Sequence, residues 1–394
     1  MATRTASFIP FFRPSLGIEE EEAVVSVLRS GWLTTGEVTA RFEDEFRAVT
    51  GARHALAVNS ATAGLHLALE ALGVGPGDAV ITTPYTFAAT AEVIRYLGAD
   101  PYFVDIEPGS MNIDPNGVET AVRECAAAGR KVSAILPVHV AGLACAMDAI
   151  RDISRRHAIP VVEDAAHAFP IKVDGKFVGT LGDVGVFSFY ATKTMTTGEG
   201  GMLVTDRDDV GARARVMRLH GIDRDVWNRY TSQSASWRYD VVAPGFKYNM
   251  PDIAGAIGRV QLARAHEFLR QRTRIAARYR EALAGLDYLR VPAASGSHAW
   301  HLFIVHLVTE KLTVDRDAFA DELMRRGIGI SVHFIPLHIM SYYRARYGFT
   351  PGSFPRAFES FQTCISLPLS PSLSEEEVER VIEAVKETGR AHHA

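Results

Sequence analysis

Cysteine is scarce in this chain. Three residues in 394, Cys125, Cys145 and Cys364, make no disulfide framework, and a reducing compartment is expected. Long apolar runs are missing too, and no stretch approaches the roughly 18 uncharged apolar residues that span a bilayer. Residues 1–10 lack the apolar centre of a signal peptide. The expectation is a cytoplasmic protein without membrane insertion. Nor is one sign of charge in excess. The chain carries 42 basic and 46 acidic residues, a net charge of −4, which speaks against nucleic acid as a partner. No Walker A lysine loop occurs, and no dinucleotide fingerprint follows the first strand pattern. The spacing of His298, His301, His306, His333 and His338 matches no zinc pattern. Core or substrate-contacting histidines are expected there, and no metal.

What is present is an ordinary globular composition, 47% hydrophobic and 22% charged, ample for a large core over two domains. Short β-rich runs at 55–58, 79–82, 102–104, 132–136, 160–162 and 185–189 alternate with helical periods. One such period, 61–72, sets Leu65, Ala68, Leu69 and Leu72 on one face. Another, 18–29, ends at Gly31, with Glu19–Glu22 as a solvated acidic first turn. Alternation with short connections predicts βαβ units and a mostly parallel, covered sheet, hence an α/β class. Beyond residue 250 the texture changes. A long helical pattern at 252–286 leads to strand-like runs at 300–306 and 328–334 and to helices near 317–326 and 374–387. The reading is a large α/β domain at 1–250 and a smaller α+β domain at 251–394.

Four local features carry chemistry. Residues 59–64 (Asn-Ser-Ala-Thr-Ala-Gly) lie where the first strand turns into a helix, and Ser60 and Thr62 add hydroxyls to an anion-binding helix start. The same pair is also an ordinary N-cap. Residues 161–168 place Glu163 and Asp164 at the carboxyl end of a buried strand, where open α/β sheets bind ligands. Residues 188–193 (Ser-Phe-Tyr-Ala-Thr-Lys) place Lys193 just past another strand, followed by the Gly198–Gly201 glycine turn. Such a lysine is either a solvated loop residue or a Schiff-base nucleophile. Residues 244–251 form a polar-aromatic stretch before the long helix. Together these supply an anion site, an acid for a pyridinium nitrogen and an amine, the parts that hold pyridoxal 5'-phosphate.

With these motifs in order, and with 31–36, 75–78, 137–139, 163–166, 198–201 and 332–334 beside them, the chain resembles the DegT-type sugar aminotransferases, in fold type I of the pyridoxal-phosphate enzymes. Within that family it is most similar to the UDP-4-amino-4-deoxy-L-arabinose–oxoglutarate aminotransferase branch, through Ser60-Ala-Thr62, His167, 244–249 and 298–303. The resemblance implies that Lys193 carries the cofactor as a Schiff base and shuttles the proton. Asp164 pairs with the ring nitrogen, His167 lies near the phenolic oxygen, and Phe87 stacks on the ring where the branch more often has Trp. Ser60, Ala61, Thr62 and Ser188 bind the phosphate, and Asn249 reaches it from the partner subunit of a homodimer. His333 and Tyr190 approach the substrates. The implied reaction is ping-pong transfer from L-glutamate, leaving 2-oxoglutarate, to a UDP- or dTDP-linked 4-keto sugar. A 3-keto sugar, a keto-cyclitol, or a non-catalytic role on the same fold stays open, and nucleotide recognition is expected to involve 224–238. Relatives that dehydrate sugars carry histidine in place of the lysine, so Lys193 argues against dehydration.

Overall fold

The computed structural model describes residues 8–223, 239–293 and 296–394. The chain opens with α1 (Ile18–Ser30), stopped by Gly31 at φ +74°, a conformation that costs glycine little. The acidic first turn of this helix is not wholly solvated as expected. Glu20 is buried and accepts hydrogen bonds from Gly17 N (2.7 Å), Gln261 Nε2 (2.6 Å) and Arg264 (2.8 Å). A carboxylate so surrounded is a tether between helices. The charge run concealed this because Gln261 and Arg264 lie some 240 positions away. Helix α2 (Glu37–Thr50) begins against Asp252, whose Oδ1 accepts from Gly36 N and Thr39 N.

Strand and helix then alternate through β1 (His54–Val58), α3 (Ala61–Ala71), β2 (Ala79–Thr82), α4 (Ala88–Tyr96), β3 (Asp100–Phe103), α5 (Pro115–Ala127), β4 (Val132–Ile135), α6 (Met147–His157) and β5 (Val162–Asp164). A two-residue hairpin, β6 (Lys172–Val173) and β7 (Lys176–Phe177), precedes β8 (Val184–Ser188), β9 (Gly201–Thr205) and α7 (Asp208–Met217). Strands β3, β2 and β4 pair in that order, as do β5, β8, β9 and β1. Parallel bridges Ile135–Val161 and Val138–Asp164 join the two groups into one sheet. Within it β9 alone runs antiparallel, against both β1 and β8. The strand pattern did not mark β9, because its glycine-rich start reads as a turn; its five residues are nonetheless all buried.

The second half is built on α8 (Asp252–Leu283), a single 32-residue helix with no internal proline to break it. Strands β10 (Leu289–Arg290), β11 (Phe303–Leu307) and β12 (Cys364–Leu367) form an antiparallel sheet. Helices α9 (Arg316–Arg325), α10 (Ser341–Tyr347), α11 (Pro355–Thr363) and α12 (Glu375–Ala391) surround it. Ser374 caps α12 through a reciprocal pair with Glu377. Two expected strands are corrected. The run at 300–306 starts only at Phe303, because Trp300 sits at φ +49°. Residues 328–334 form no ladder: Ile328 bridges Ile9 while Ser331 bridges Ser366, so the pairing is split between two partners. A hydrophobic cluster around β10–β12 takes in Ile9, while Leu302, Ile304 and Phe334 join the cluster on the large sheet. Among the described residues no helix is long and apolar enough to cross a membrane.

Candidate active site

The carboxyl ends of β1, β5 and β8 lie along one edge of the sheet, beside the start of antiparallel β9. Just past β1, Ser60 caps α3: its Oγ accepts the Ala63 N–H at 3.1 Å. The cap leaves the N–H groups of Ala61 and Thr62 without intrahelical acceptors, at the positive end of the helix dipole. Glycines bring this helix close to the strands. A Cβ on Gly64 would lie 2.7 Å from Val186 Cγ1, and one on Gly201 would lie 2.8 Å from Ala61 N. The N-cap and the free N–H groups at the α3 start are therefore parts of one structure.

Asp164, the last residue of β5, is 5% exposed. Its Oδ2 accepts from Thr90 Oγ1 at 2.9 Å and its Oδ1 from Ala166 N at 3.2 Å. Burial pushes this carboxyl above its ordinary range, against those hydrogen bonds and the charge of Lys193. Lys193 lies past β8, its N–H bonded back to the Tyr190 carbonyl at 2.9 Å. Desolvation lowers the lysine pKa to about 8, while Asp164 opposes the fall. An amine and a carboxyl each moved toward neutrality by burial are perturbed in the way that groups in functional sites commonly are.

Three imidazoles surround the amine. Burial and the charge of Lys193 hold His167 and His301 well below the ordinary histidine value and His333 at about 4, so all three are neutral at pH 7. His333 Nδ1 lies 2.8 Å from Ser366 Oγ, and its carbonyl accepts from Tyr85 Oη at 2.8 Å. Phe87 and Tyr190 stand exposed over the opening.

These groups share one cavity of about 700 Å³, lined by Ser60, Ala61, Thr62, Phe87, Asp164, His167, Ser188, Tyr190, Lys193 and His333. Every site residue expected from the sequence is there except Asn249. In its own chain Asn249 donates from Nδ2 to Thr35 Oγ1 at 2.6 Å and receives a hydrogen bond from Lys247. The expected nucleotide contacts at 224–238 lie outside the described residues. Sequence reasoning missed Thr90, Phe11 and Phe12, which also line the cavity, as does His301, expected as a core or substrate-contacting histidine. Phe11 and Phe12 belong to an N-terminal segment that carries no motif. His301 lies in the strand-like run at 300–306, before the strand itself begins at Phe303.

A mostly parallel sheet with one antiparallel strand, a lysine and a buried acid at its carboxyl edge, and a helix start facing both define a fold type I pyridoxal-phosphate enzyme. The chain belongs to the DegT/DnrJ/EryC1/StrS aminotransferase family, whose model matches residues 14–386. It is 44% identical over 390 residues to the spore coat polysaccharide biosynthesis protein SpsC of Bacillus subtilis, covering 98% of both chains. Among solved structures it is similar to the PLP-form of Spr1654 from Streptococcus pneumoniae, with a TM-score of 0.88, 32% identity, and 98% and 99% of the two chains covered. PseC of Helicobacter pylori, an aminotransferase of pseudoaminic acid biosynthesis, aligns at TM-score 0.89 and 27% identity, over 98% of this chain and all of that one. The protein is thus a sugar aminotransferase by family.

Proposed function

We propose that the protein transfers an amino group from L-glutamate to a nucleotide-linked 4-keto sugar, using pyridoxal 5'-phosphate. The observation that carries this reading is the meeting of Lys193, Asp164 and the start of α3 on a single cavity. The residues fit the cofactor on their own chemistry. The α3 start and the hydroxyls of Ser60, Thr62 and Ser188 suit a phosphate. The buried Asp164, short of positive charge, suits a cationic ring nitrogen. His167 Nδ1 is buried without a partner among the described residues, so its ring has hydrogen-bonding capacity to spare. When bound, the cofactor supplies an electron sink that makes the carbon bearing nitrogen acidic.

The chain's own groups do the rest. With the cofactor in place, Lys193 Nζ would hold it and would serve as the base that moves a proton at the reacting carbon, a role its lowered pKa suits. Asp164 holds the ring nitrogen protonated. Phe87 supplies an aromatic face, and His333 and Tyr190 meet the substrates. One cavity serves donor and acceptor in turn, so the kinetics are ping-pong. Asn249 completes the phosphate site of a second copy, which makes the working unit a homodimer with shared sites. In this reading residues 1–250 form the cofactor-binding domain and 251–394 the smaller one.

The test is optical. Glutamate bleaches the yellow of the loaded protein, and a nucleotide-linked 4-keto sugar restores it. A protein that refuses added cofactor, or a colour indifferent to glutamate, overturns the proposal.

A further inference from the structure

Ser366 lies in β12 and is fully buried. Its backbone is fixed against the segment that carries His333. Ser366 N donates to the Ser331 carbonyl at 2.8 Å, and Ser331 N donates to the Ser366 carbonyl at 3.2 Å. Two residues on, Tyr85 Oη, from the loop after β2, donates to the His333 carbonyl at 2.8 Å. The His333 ring is held as well. The Phe11 ring stacks on it at 5.5 Å between centroids and 29° between planes, and Phe334 meets it edge-on at 5.1 Å.

Held in this way, His333 Nδ1 lies 2.8 Å from Ser366 Oγ. The other ring edge, with Nε2, is left to the cavity that His333 lines. Burial and the charge of Lys193 keep the imidazole neutral at pH 7, so it carries one N–H and one lone pair. The serine decides which nitrogen holds the hydrogen. Were Nδ1 the donor, Ser366 Oγ would accept, and its own hydrogen would be buried with no acceptor among the described residues. A buried donor left unpaired is costly. With the hydroxyl donating to Nδ1, both hydrogens are placed and the N–H falls on Nε2.

We infer that Ser366 is a positioning residue: its O–H donates to His333 Nδ1 and fixes the tautomer that turns Nε2–H to the cavity as a hydrogen-bond donor. Lys193 is the only lysine or arginine among the described residues that line this cavity, and the proposed function commits it to the cofactor. A carboxylate entering there pairs with uncharged donors, and His333 Nε2–H is assigned to a carboxylate oxygen of L-glutamate. That assignment rests on the aminotransferase reading given above; the Ser366–His333 hydrogen bond does not.

Nitrogen-15 NMR of histidine-labelled protein at neutral pH reads the tautomer, and His333→Gln assigns the signals. His333 shows a bare Nδ1 and a protonated Nε2; a protonated Nδ1 in the wild-type protein overturns the inference. In Ser366→Ala the hydroxyl is gone and His333 becomes a mixture of tautomers, while Ser366→Thr, which keeps a hydroxyl, restores the single form. An unchanged single form in Ser366→Ala refutes the role of Ser366, and if the variants do not fold, the wild-type spectrum decides alone. In the cofactor-loaded alanine variant, the glutamate concentration for half-maximal bleaching rises about fivefold while the limiting rate stays within about twofold, the mark of weakened ground-state binding. A mixed tautomer with no such rise refutes the carboxylate assignment. The expected tautomer in a protein whose colour ignores glutamate refutes the aminotransferase reading and leaves the pairing standing.

Discussion

Thr90 Oγ1 lies 2.9 Å from Asp164 Oδ2, and a second hydroxyl, Thr86 Oγ1, stands 2.7 Å behind it. Both threonines are buried, so this chain of hydroxyls is a principal counterweight to the burial that raises the Asp164 carboxyl. A hydrogen bond to an ionised group contributes about 1.5–3 kcal/mol. Thr90→Val preserves shape and removes the donor. Its Asp164 carboxyl rises further, and affinity for pyridoxal 5'-phosphate falls at least tenfold, as read by absorbance titration of the apoprotein. Wild-type affinity in the valine variant would show that Asp164 does not face the ring nitrogen.

The pKa of Lys193, lowered from the ordinary 10.5 to about 8, sets a pH dependence with a definite sign. Only the neutral amine attacks an aldehyde, so covalent uptake of pyridoxal 5'-phosphate by the apoprotein speeds up as pH rises. The half-maximal rate falls near pH 8, and at neutral pH the neutral fraction is roughly 300-fold above that of an unperturbed lysine. Asp164 raises the lysine pKa, and Asp164→Asn therefore moves the midpoint below 8. Stopped-flow uptake measured from pH 6 to 10 checks both statements; an upward shift in the asparagine variant contradicts the second.

Much of this was legible in the chain because the relevant signals are local. Strand β2 occupies the run read from its β-branched residues, and α3 starts at Ala61 as its cap and period required. Lys193 and Asp164 stand out because a charged group at the end of an apolar run is rare without a purpose. Long-range relations left no such mark. Glu20 reads as a solvated acid until Gln261 and Arg264 arrive from another helix. Thr90 is an unremarked residue in a short helix until folding sets it on Asp164. His301 sits in an apolar strand-like run, and the run does not show the Arg272 clamp on its carbonyl and the left-handed Trp300 that hold its backbone beside the cavity. Strand β9 pairs antiparallel inside an otherwise parallel sheet, and no local pattern states a strand's direction.

Gly201 is required by space, not by conformation. A methyl group there would meet Ala61 N and the Ser60 carbonyl carbon at 2.8 Å and the Phe187 carbonyl oxygen at 2.9 Å. All three are backbone atoms, so relief comes only if α3 lifts off the sheet. Overpacking of this kind costs about 1–3 kcal/mol, and it falls on the α3 start that the proposal gives to the cofactor phosphate. Gly201→Ala therefore lowers both the melting temperature and the affinity for inorganic phosphate or cofactor. Gly75→Ala is the control, since nothing stands within 4 Å of that position. It leaves both quantities unchanged.

Asn249 is bonded within its own chain to Thr35 and Lys247 and does not line its own cavity, which gives the shared-site proposal a test by mixing. Asn249→Asp sets a negative charge against the cofactor phosphate and depresses activity at limiting cofactor, while Lys247 can still bond the new carboxylate. Lys193→Ala removes the amine and all activity. If Asn249 serves the neighbouring copy, a hybrid dimer of the two variants concentrates both defects in one site and leaves the other intact. Random exchange of equal amounts makes half the dimers hybrid, so the mixture recovers about a quarter of wild-type activity from two nearly inactive parents. If Asn249 serves its own chain, each hybrid site carries one defect and the mixture stays at the average of the parents. Activity measured before and after subunit exchange, with sedimentation confirming the dimer, separates the two cases.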